Sequence, residues 1–567
     1  MLNNNKILSP AEVLKENKLL IKKSKLFNKI NIGILTNYSA NFLEPYIKNS
    51  GFKFSVNINS DFPDFDQIEK NLFEKKFFKK KKQIIFISFL LDYLLEDLTY
   101  KHFSLSRRQK KNKIFFVIER IKRIIDLIQK NSNSKIVILN FPNFFLDFNK
   151  FSDQSIMPFL SSVVSELNLE MNNMVKKLTN CYIYDFSSYI TKHGSKNFFD
   201  ETKSRLAFIP FSIFGLNKTA NIIARCSNAL SSKIKKCLVV DLDDTLWGGV
   251  LGELGPDNIV LNDTYDGLKY ISFQKKILSL KARGILLAIS SKNNISDVKE
   301  VFKKNKNLIL SLKDFSSLQI NWNDKATNIN KIAKDLNIGL DSIVFFDNNP
   351  LEREWVKKKL PEVSVIESSK SHHDYIEDIE NSHFFDQFII SDEDKKRHKM
   401  YKEDFKRKKA LKKSGSYKDF LKNLKISTEI KNVNKFTIQR CAQLVERTNQ
   451  FNLTNNRYEA SEILNFIKNG GVGLSIKLSD KFGDYGIVGF IMAIQKNQCW
   501  VIDEFVFSCR ALGRNIEHIL LKKLIQKLRS RDKQEIIGVV NRTEKNKLAH
   551  KFYLDFGFKK KGSHFVL

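Results

Sequence analysis

The sequence predicts an α/β protein of three domains, two built on parallel sheets and the last of mixed α+β order. Three observations predict it. A chain of 567 residues exceeds what one hydrophobic core can organise. Short apolar runs alternate with amphipathic stretches over residues 31–214 and again over 237–367, as expected for buried parallel strands joined by helices. From Phe436 onward the order becomes a helix, several strands, a long amphipathic helix, a strand and a last helix.

Residues 1–30 form a polar, helical lead-in with no apolar core ahead of a small-residue cleavage site, so no secretory leader is expected. In the first domain, 31–230, the runs NIGILTN (31–37), IIFISFLL (84–91), KIVILNF (135–141) and CYIYDF (181–186) read as strands. Helical patterns lie between them at 112–129 and 156–178. The strand-end hydroxyls Thr36 and Ser39 lack a Gly-Asp-Ser context, and His193 and Asp200 are only loosely placed around them. No Ser–His–Asp set is expected there. A basic lead, 231–236, opens the second domain, 231–385. A charged helical connector (386–435) separates it from the third domain, 436–567.

Composition narrows the class. Hydrophobic residues make up 42% and charged ones 28%, which suits a globular protein of the cytoplasm. No stretch approaches the roughly 20 apolar residues that span a bilayer, so no membrane insertion is expected. The formal charge of +34 would ordinarily suggest nucleic acid. Here the basic residues are mostly lysines spread along the chain, and the densest runs (75–76, 79–82, 107–111) lie far from the candidate chemistry. They read as solvated faces, and no nucleic-acid partner is expected. Cys181, Cys226, Cys237, Cys441, Cys499 and Cys509 form no CxxC pair and read as reduced structural thiols.

The chemistry lies in the second domain. The apolar run 236–240 ends abruptly at DLDDT, and a buried parallel strand delivers its C-terminal end to the ligand crevice. Two carboxylates spaced i and i+2 past that end, Asp241 and Asp243, are costly unless a cation neutralises them. Mg²⁺ is the expected one, a hard ion held by one or two carboxylates together with substrate phosphate. Asp241 is then poised for in-line attack and Asp243 for protonating the leaving oxygen. A second buried strand, 284–289, ends in Ser290-Ser291-Lys292-Asn293, where a hydroxyl and free amides would hold phosphoryl oxygens. Lys325 opens an amphipathic helix and offers a point charge for the transferring group. A strand at 342–346 ends in Asp347-Asn348-Asn349-Pro350, with further oxygen ligands.

These four pieces match, in order, the motifs of the haloacid-dehalogenase-like (HAD) superfamily. The string DLDDTLWGGVLGE (241–253) resembles its subfamily IIIC and the FkbH-like proteins in particular. So do LLAISSKNN (286–294), NWNDKATNI (321–329) and VFFDNNPLEREWV (344–356). The likeness runs on through RCAQLVERTNQFNLTNNRY (440–458), FGDYGIVG (482–489) and FSCRALGRNIE (507–517). The resemblance implies Asp241 as nucleophile, Asp243 as acid/base, Thr245 and Ser291 as phosphate-binding groups and Lys325 as the phosphoryl-stabilising cation. Asp347 and Asn348 would complete a metal site with Asp241 and Asp243. Two departures stand out. Many relatives carry Asp-Asp where Asp347-Asn348 stands, so one negative charge is lost here. Many carry cysteine at Ser290, which excludes a thioester at that position.

The span between DLDDT and the helix expected near Leu268 is short and rich in turn residues, leaving no room for a cap domain. The loop 247–252 either shapes the entrance or is a rigid turn that packs Trp247 into the core. The third domain resembles a GNAT acyltransferase, with Arg510, Gly513 and Arg514 where that fold's pyrophosphate loop lies; Asn515 replaces the usual small residue. Binding of phosphopantetheine or coenzyme A and a non-catalytic recognition role both remain open. The polar stretch 448–452 reads as part of a substrate groove or as a helix cap. The first domain resembles the SGNH-hydrolase-like module of long FkbH-like proteins. The implied architecture is an SGNH-like α/β domain, a capless HAD-type Rossmannoid sheet and a GNAT-like α+β domain.

The implied activity is loading of a glyceryl unit from 1,3-bisphosphoglycerate onto an acyl carrier protein with removal of the phosphate. The expected partners are therefore a phosphoglyceryl donor and an acidic carrier protein. Two alternatives are a phosphatase or phosphotransferase of cell-surface polysaccharide or lipid assembly, and a non-catalytic carrier-docking scaffold.

Overall fold

The structure is a computed structural model and describes residues 7–21, 27–64, 67–95, 104–142, 160–178, 180–231, 235–368, 374–388, 390, 392–412, 423–448, 450–496, 498–508, 511–531, 534–544, 546–562 and 564–567. The chain divides into two compact units, Met1–Ser232 and Lys233–Leu567.

In the first unit a helix, Pro10–Ile21, precedes a parallel sheet of order β2-β1-β3-β4-β5. Its strands are β1 (Asn28–Thr36), β2 (Val56–Asp61), β3 (Ile84–Ser88), β4 (Lys135–Leu139) and β5 (Cys181–Tyr184). Every residue of β3 is buried, as a central strand covered on both faces requires. The edge strand β2 has no apolar run to announce it, because its outer half is partly solvated and polar. The long helix Arg107–Asn131 starts at a capping box, Ser106 with Gln109, and buries Ile114, Val117, Ile121, Ile124, Ile125 and Ile128 on one stripe.

The strand-end hydroxyls, the histidine and the aspartate of this unit are each hydrogen-bonded within it. Thr36 Oγ1 donates to the Tyr38 carbonyl at 2.8 Å and Ser39 Oγ to the Ala207 carbonyl at 3.3 Å. His193 Nδ1 meets the Tyr189 carbonyl of its own helix at 2.9 Å, and Asp200 accepts from the Lys203 amide. Among the described residues no Ser–His–Asp arrangement forms from them.

The second unit holds two sheets. The first has the order β10-β9-β6-β7-β8 and is wholly parallel. Its strands are β6 (Cys237–Val240), β7 (Leu286–Ser291), β8 (Ser317–Ile320), β9 (Ile343–Phe346) and β10 (Ser364–Val365). Cys237 to Val240 are fully buried between β7 and β9, so the end of β6 opens at the middle of the sheet. Between β6 and the helix Tyr265–Ala282 the chain forms a four-residue helix, Leu251–Leu254, and two isolated bridges, Asp243 to Trp247 and Gly248 to Val260, and no cap domain.

The last sheet is mixed, in the order β11-β12-β13-β14-β15-β17-β16. It comprises β11 (Ser427–Asn432), β12 (Val472–Asp480), β13 (Gly483–Lys496), β14 (Cys499–Phe507), β15 (Ile536–Gly538), β16 (Lys559–Lys561) and β17 (His564–Val566). β11 lies inside the stretch assigned from sequence to the connector. Its exposed, charged pattern hides an edge strand paired along six residues of β12.

The charged helix Asp392–Lys412 joins the two sheets and is not wholly solvated. Near its start His398 meets Ser316 Oγ and the Lys313 carbonyl, each at 2.9 Å. Farther on, Arg407 is buried, donates to both oxygens of Asp480 at 2.7 and 2.8 Å, and lies 4.0 Å from the centre of the Tyr485 ring. No described helix is long and apolar enough to cross a membrane.

Candidate active site

Strand β6 ends at Val240, and the next residue, Asp241, is 9% exposed, its amide donating to the Phe346 carbonyl at the end of β9. Asp347 follows β9 directly and is fully buried. The helix Lys325–Leu336 starts at an N-cap, Asp324, whose carboxylate accepts from the Thr327 amide at 3.1 Å. That cap fixes where the first helical side chain points. Lys325 Nζ lies 2.7 Å from Asp241 Oδ1, 3.1 Å from Asp347 Oδ2 and 2.8 Å from the Ser290 carbonyl. Three chain segments far apart in sequence thus meet on one ammonium group.

Asp243 is held by neutral donors. The Trp247 indole Nε1 donates to its Oδ1 at 3.0 Å, the Leu251 amide donates to the same oxygen at 3.2 Å, and Asn293 Nδ2 donates to Oδ2 at 3.0 Å. The turn that allows this is specific. Asp244 adopts a left-handed conformation, and its Oδ1 accepts from the Gly249 amide at 2.7 Å. Gly249 itself has φ +89°, a left-handed conformation that favours glycine over any residue with a Cβ. Trp247 is fully buried in the core, as the rigid-turn alternative requires, yet its N–H reaches Asp243.

Burial raises the Asp243 pKa, the Asn293 and Leu251 donors oppose that, and the Asp241 charge adds to the rise. Burial also raises Asp347, with Asp241 repelling its charge and Lys325 partly compensating. Burial works to lower Lys325, but Asp241 and Asp347 outweigh it and hold the ammonium above its ordinary value.

The other candidates are placed as follows. Thr245 is fully buried, and its Oγ1 has no hydrogen-bond partner among the described residues. Ser291 is buried, and its Oγ accepts from Asn293 Nδ2 at 3.1 Å. Asn348 is partly buried, and its carbonyl accepts from Arg353. Gly513 has φ +79°, and the Arg514 guanidinium sits 4.8 Å from the centre of the Tyr485 ring. Arg510 lies outside the described residues.

Two residues at the site carry no assignment from sequence alone. Asn293 ties Asp243 to Ser291, and the pair of asparagines after SSK was its one visible signal. Arg353 donates to the Asp347 and Asn348 carbonyls at 2.8 Å each, which fixes the loop after β9. A helical arginine six residues past Asp347 gives no sign of this role in sequence.

Among the described residues no three His, Cys, Asp or Glu side chains converge into a ready-made metal cage. The donor set still suits a hard divalent cation. Two buried carboxylates share one lysine, which leaves an excess of negative charge at an edge furnished with amide and carbonyl oxygens. Magnesium characteristically takes one or two protein carboxylates and completes its shell with water and phosphate.

Two family models match separate parts of the chain. Residues 31–224 match the family described as FkbH, N-terminal domain, and residues 441–558 match the Acetyltransferase (GNAT) family. The chain is similar to a crystal structure of the N-terminal part of the protein BF1531 from Bacteroides fragilis, described as containing a phosphatase domain complexed with Mg. The identity is 27% and the TM-score 0.58, covering 66% of this chain and 99% of that one. It is also similar to the PaiA N-acetyltransferase of Thermoplasma acidophilum in complex with coenzyme A, at 17% identity over 25% of this chain and 96% of that one. With a TM-score of 0.20, that likeness adds nothing to the family match. No curated protein matches the sequence. With an FkbH N-terminal domain, a HAD-type phosphatase domain and a GNAT-like domain in one polypeptide, the chain is an FkbH-like protein of the HAD superfamily.

Proposed function

We propose that this chain is a magnesium-dependent phosphoryl-transfer enzyme that loads a glyceryl unit from 1,3-bisphosphoglycerate onto an acyl carrier protein and removes the phosphate at Asp241. The observation that carries the phosphoryl chemistry is Lys325 Nζ held between Asp241 and Asp347, with Asp243 beside them on uncharged donors. The glyceryl donor and the carrier rest on the FkbH resemblance, and the basic chain would attract an acidic carrier.

In loading, the carrier's thiolate attacks the acyl carbon of the mixed anhydride; a C–S bond forms, the C–O bond to phosphate breaks and inorganic phosphate leaves. Ser290 takes no covalent part, its hydroxyl being fully buried and its carbonyl engaged by Lys325. In dephosphorylation, the Asp241 carboxylate attacks the remaining phosphate ester. Asp243, whose raised pKa helps it carry a proton, gives that proton to the departing alkoxide. Water then loses a proton to Asp243 and attacks the aspartyl phosphate, releasing phosphate and restoring both acids. Lys325 neutralises the charge gathering on the phosphoryl oxygens. Asp241, Asp243, Asp347 and Asn348 would hold Mg²⁺, which would supply further neutralisation of the same oxygens.

Incubation with Mg²⁺ and p-nitrophenyl phosphate, beside Asp241→Asn, tests the phosphoryl chemistry. Turnover by the wild type alone is expected, and equal turnover by both, or none by either, rejects the proposal. Intact-mass analysis of a holo carrier protein after incubation with 1,3-bisphosphoglycerate should show added glycerate without phosphate. An unchanged carrier mass rejects the loading step while leaving the phosphatase reading intact.

A further inference from the structure

The third domain matches an acetyltransferase family, and its sheet contains the feature an acyl thioester would use. Strand β14 pairs with β15 only from Trp500 to Ile502, opposite Ile536 to Gly538, and then runs on to Phe507 without that neighbour. A bulge accompanies the parting. Met492 faces Glu504 and Ala493 faces Ile502, which leaves Asp503 unpaired on β14. A strand edge released in this way is a template for any extended chain bearing amides, pantetheine included.

That edge is already taken by the protein itself. The segment 451–453, between the helices Ile438–Arg447 and Ala460–Lys468, lies along it as an extra antiparallel strand, with Asn452 bridged to Val506. The Leu453 amide donates to the Phe505 carbonyl at 3.1 Å, and the Phe507 amide donates to the Phe451 carbonyl at 2.9 Å. The remaining named groups are closed by side chains: the Phe505 amide by Glu504 Oε1 at 3.0 Å and the Asp503 carbonyl by Asn456 Nδ2 at 3.0 Å. On its far side the segment is bonded again, the Asn541 amide to the Leu453 carbonyl at 2.8 Å and Asn546 Nδ2 to the Asn452 carbonyl at 2.9 Å. Phe451, Asn452 and Leu453 are all buried, and the Phe451 ring packs edge-on against Phe505, Phe507 and Phe552.

Entry of a pantetheine arm would therefore break three main-chain bonds and the Asn546 side-chain bond and expel three buried residues, with only two amides offered in exchange. The neighbouring helix start is equally unfavourable for a pyrophosphate. The second residue of the helix Ile516–Arg529 is the buried Glu517, a carboxylate placed where the helix would otherwise attract an anion.

We propose that the GNAT-like domain is self-occupied: the segment 451–453 is the built-in ligand of its cleft, and the domain takes no coenzyme A thioester. The segment works as a structural strand, and the acyl chemistry of the chain is confined to the phosphatase domain and its carrier.

Two measurements on the full-length wild-type protein test this. Calorimetric titration with acetyl-coenzyme A should give no binding up to about 1 mM, and a dissociation constant below that overturns the proposal. Hydrogen exchange should show the Leu453 and Phe507 amides protected to the same degree as the centre of β14, with or without acetyl-coenzyme A. Exchange of Leu453 at the rate of an open loop overturns the proposal even if no coenzyme binds. Activity of the wild type on p-nitrophenyl phosphate is unaffected by either result.

Discussion

Trp247 and Asp243 are joined by a 3.0 Å hydrogen bond from the indole Nε1 to Oδ1, although the ring is fully buried in the core and the carboxylate belongs to the site. Packing and chemistry therefore meet in one side chain. Trp247→Phe keeps most of the ring and removes the donor. Losing one hydrogen bond of this kind costs about 1–1.5 kcal/mol, so kcat on phosphate esters should fall roughly tenfold. The loss should change with leaving-group basicity across an ester series, whereas a uniform loss would place the effect elsewhere.

Lys325→Met leaves Asp241 and Asp347 buried together with no counter-charge from the chain. Breaking a buried ion pair from one side costs about 3–5 kcal/mol. Urea unfolding in the absence of metal should show a destabilisation of that order, with ester hydrolysis lost. A variant as stable as wild type would mean the two acids do not share the lysine.

Magnesium should stabilise the folded chain by mass action, by about 2.7 kcal/mol when free metal reaches a hundred times its dissociation constant. Differential scanning calorimetry with Mg²⁺ and with EDTA reads this directly. Asp347→Asn keeps an oxygen for the Asn349 amide bond, seen at 2.9 Å, and should abolish the metal-dependent shift.

Glu504 gives a pH dependence of its own. Burial raises its pKa to about 8, against the opposing Thr454 hydroxyl and Phe505 amide, from 4.5 as the ordinary value. The folded state then holds a proton that the unfolded state has released, so stability falls as pH rises from about 4.5 to about 8 and levels off above that. The full effect is of order a few kcal/mol. Glu504→Gln mimics the protonated carboxyl and should flatten the curve. Stability that rises over the same window in wild type would contradict the assignment.

Much of this protein is legible in its sequence, for identifiable reasons. The strands β6, β7 and β9 are buried on both faces and stand out as apolar runs, and the polar residues at their ends mark where the sheet opens. Those same runs place Asp241, Ser291 and Asp347 at one edge before any distance is known. Lys325 is legible because a helix start is written in Asp324 and the apolar stripe that follows. The strands β2 and β11 are hidden for the opposite reason, since edge positions tolerate polar residues and erase the alternation. Asn293, Arg353 and the segment 451–453 act through contacts with residues far along the chain or with main-chain atoms, which no local pattern encodes.

The helix Asp392–Lys412 is pinned near one end by His398 to Ser316 and farther along by Arg407 to Asp480. Nine residues of α-helix, at about 1.5 Å each, make that interval roughly 14 Å of nearly inextensible rod. Such a rod acts as a gauge. Dyes attached to the phosphatase and GNAT-like domains should report a single narrow energy-transfer population, and replacing Arg407 with methionine should broaden it while leaving ester hydrolysis unchanged.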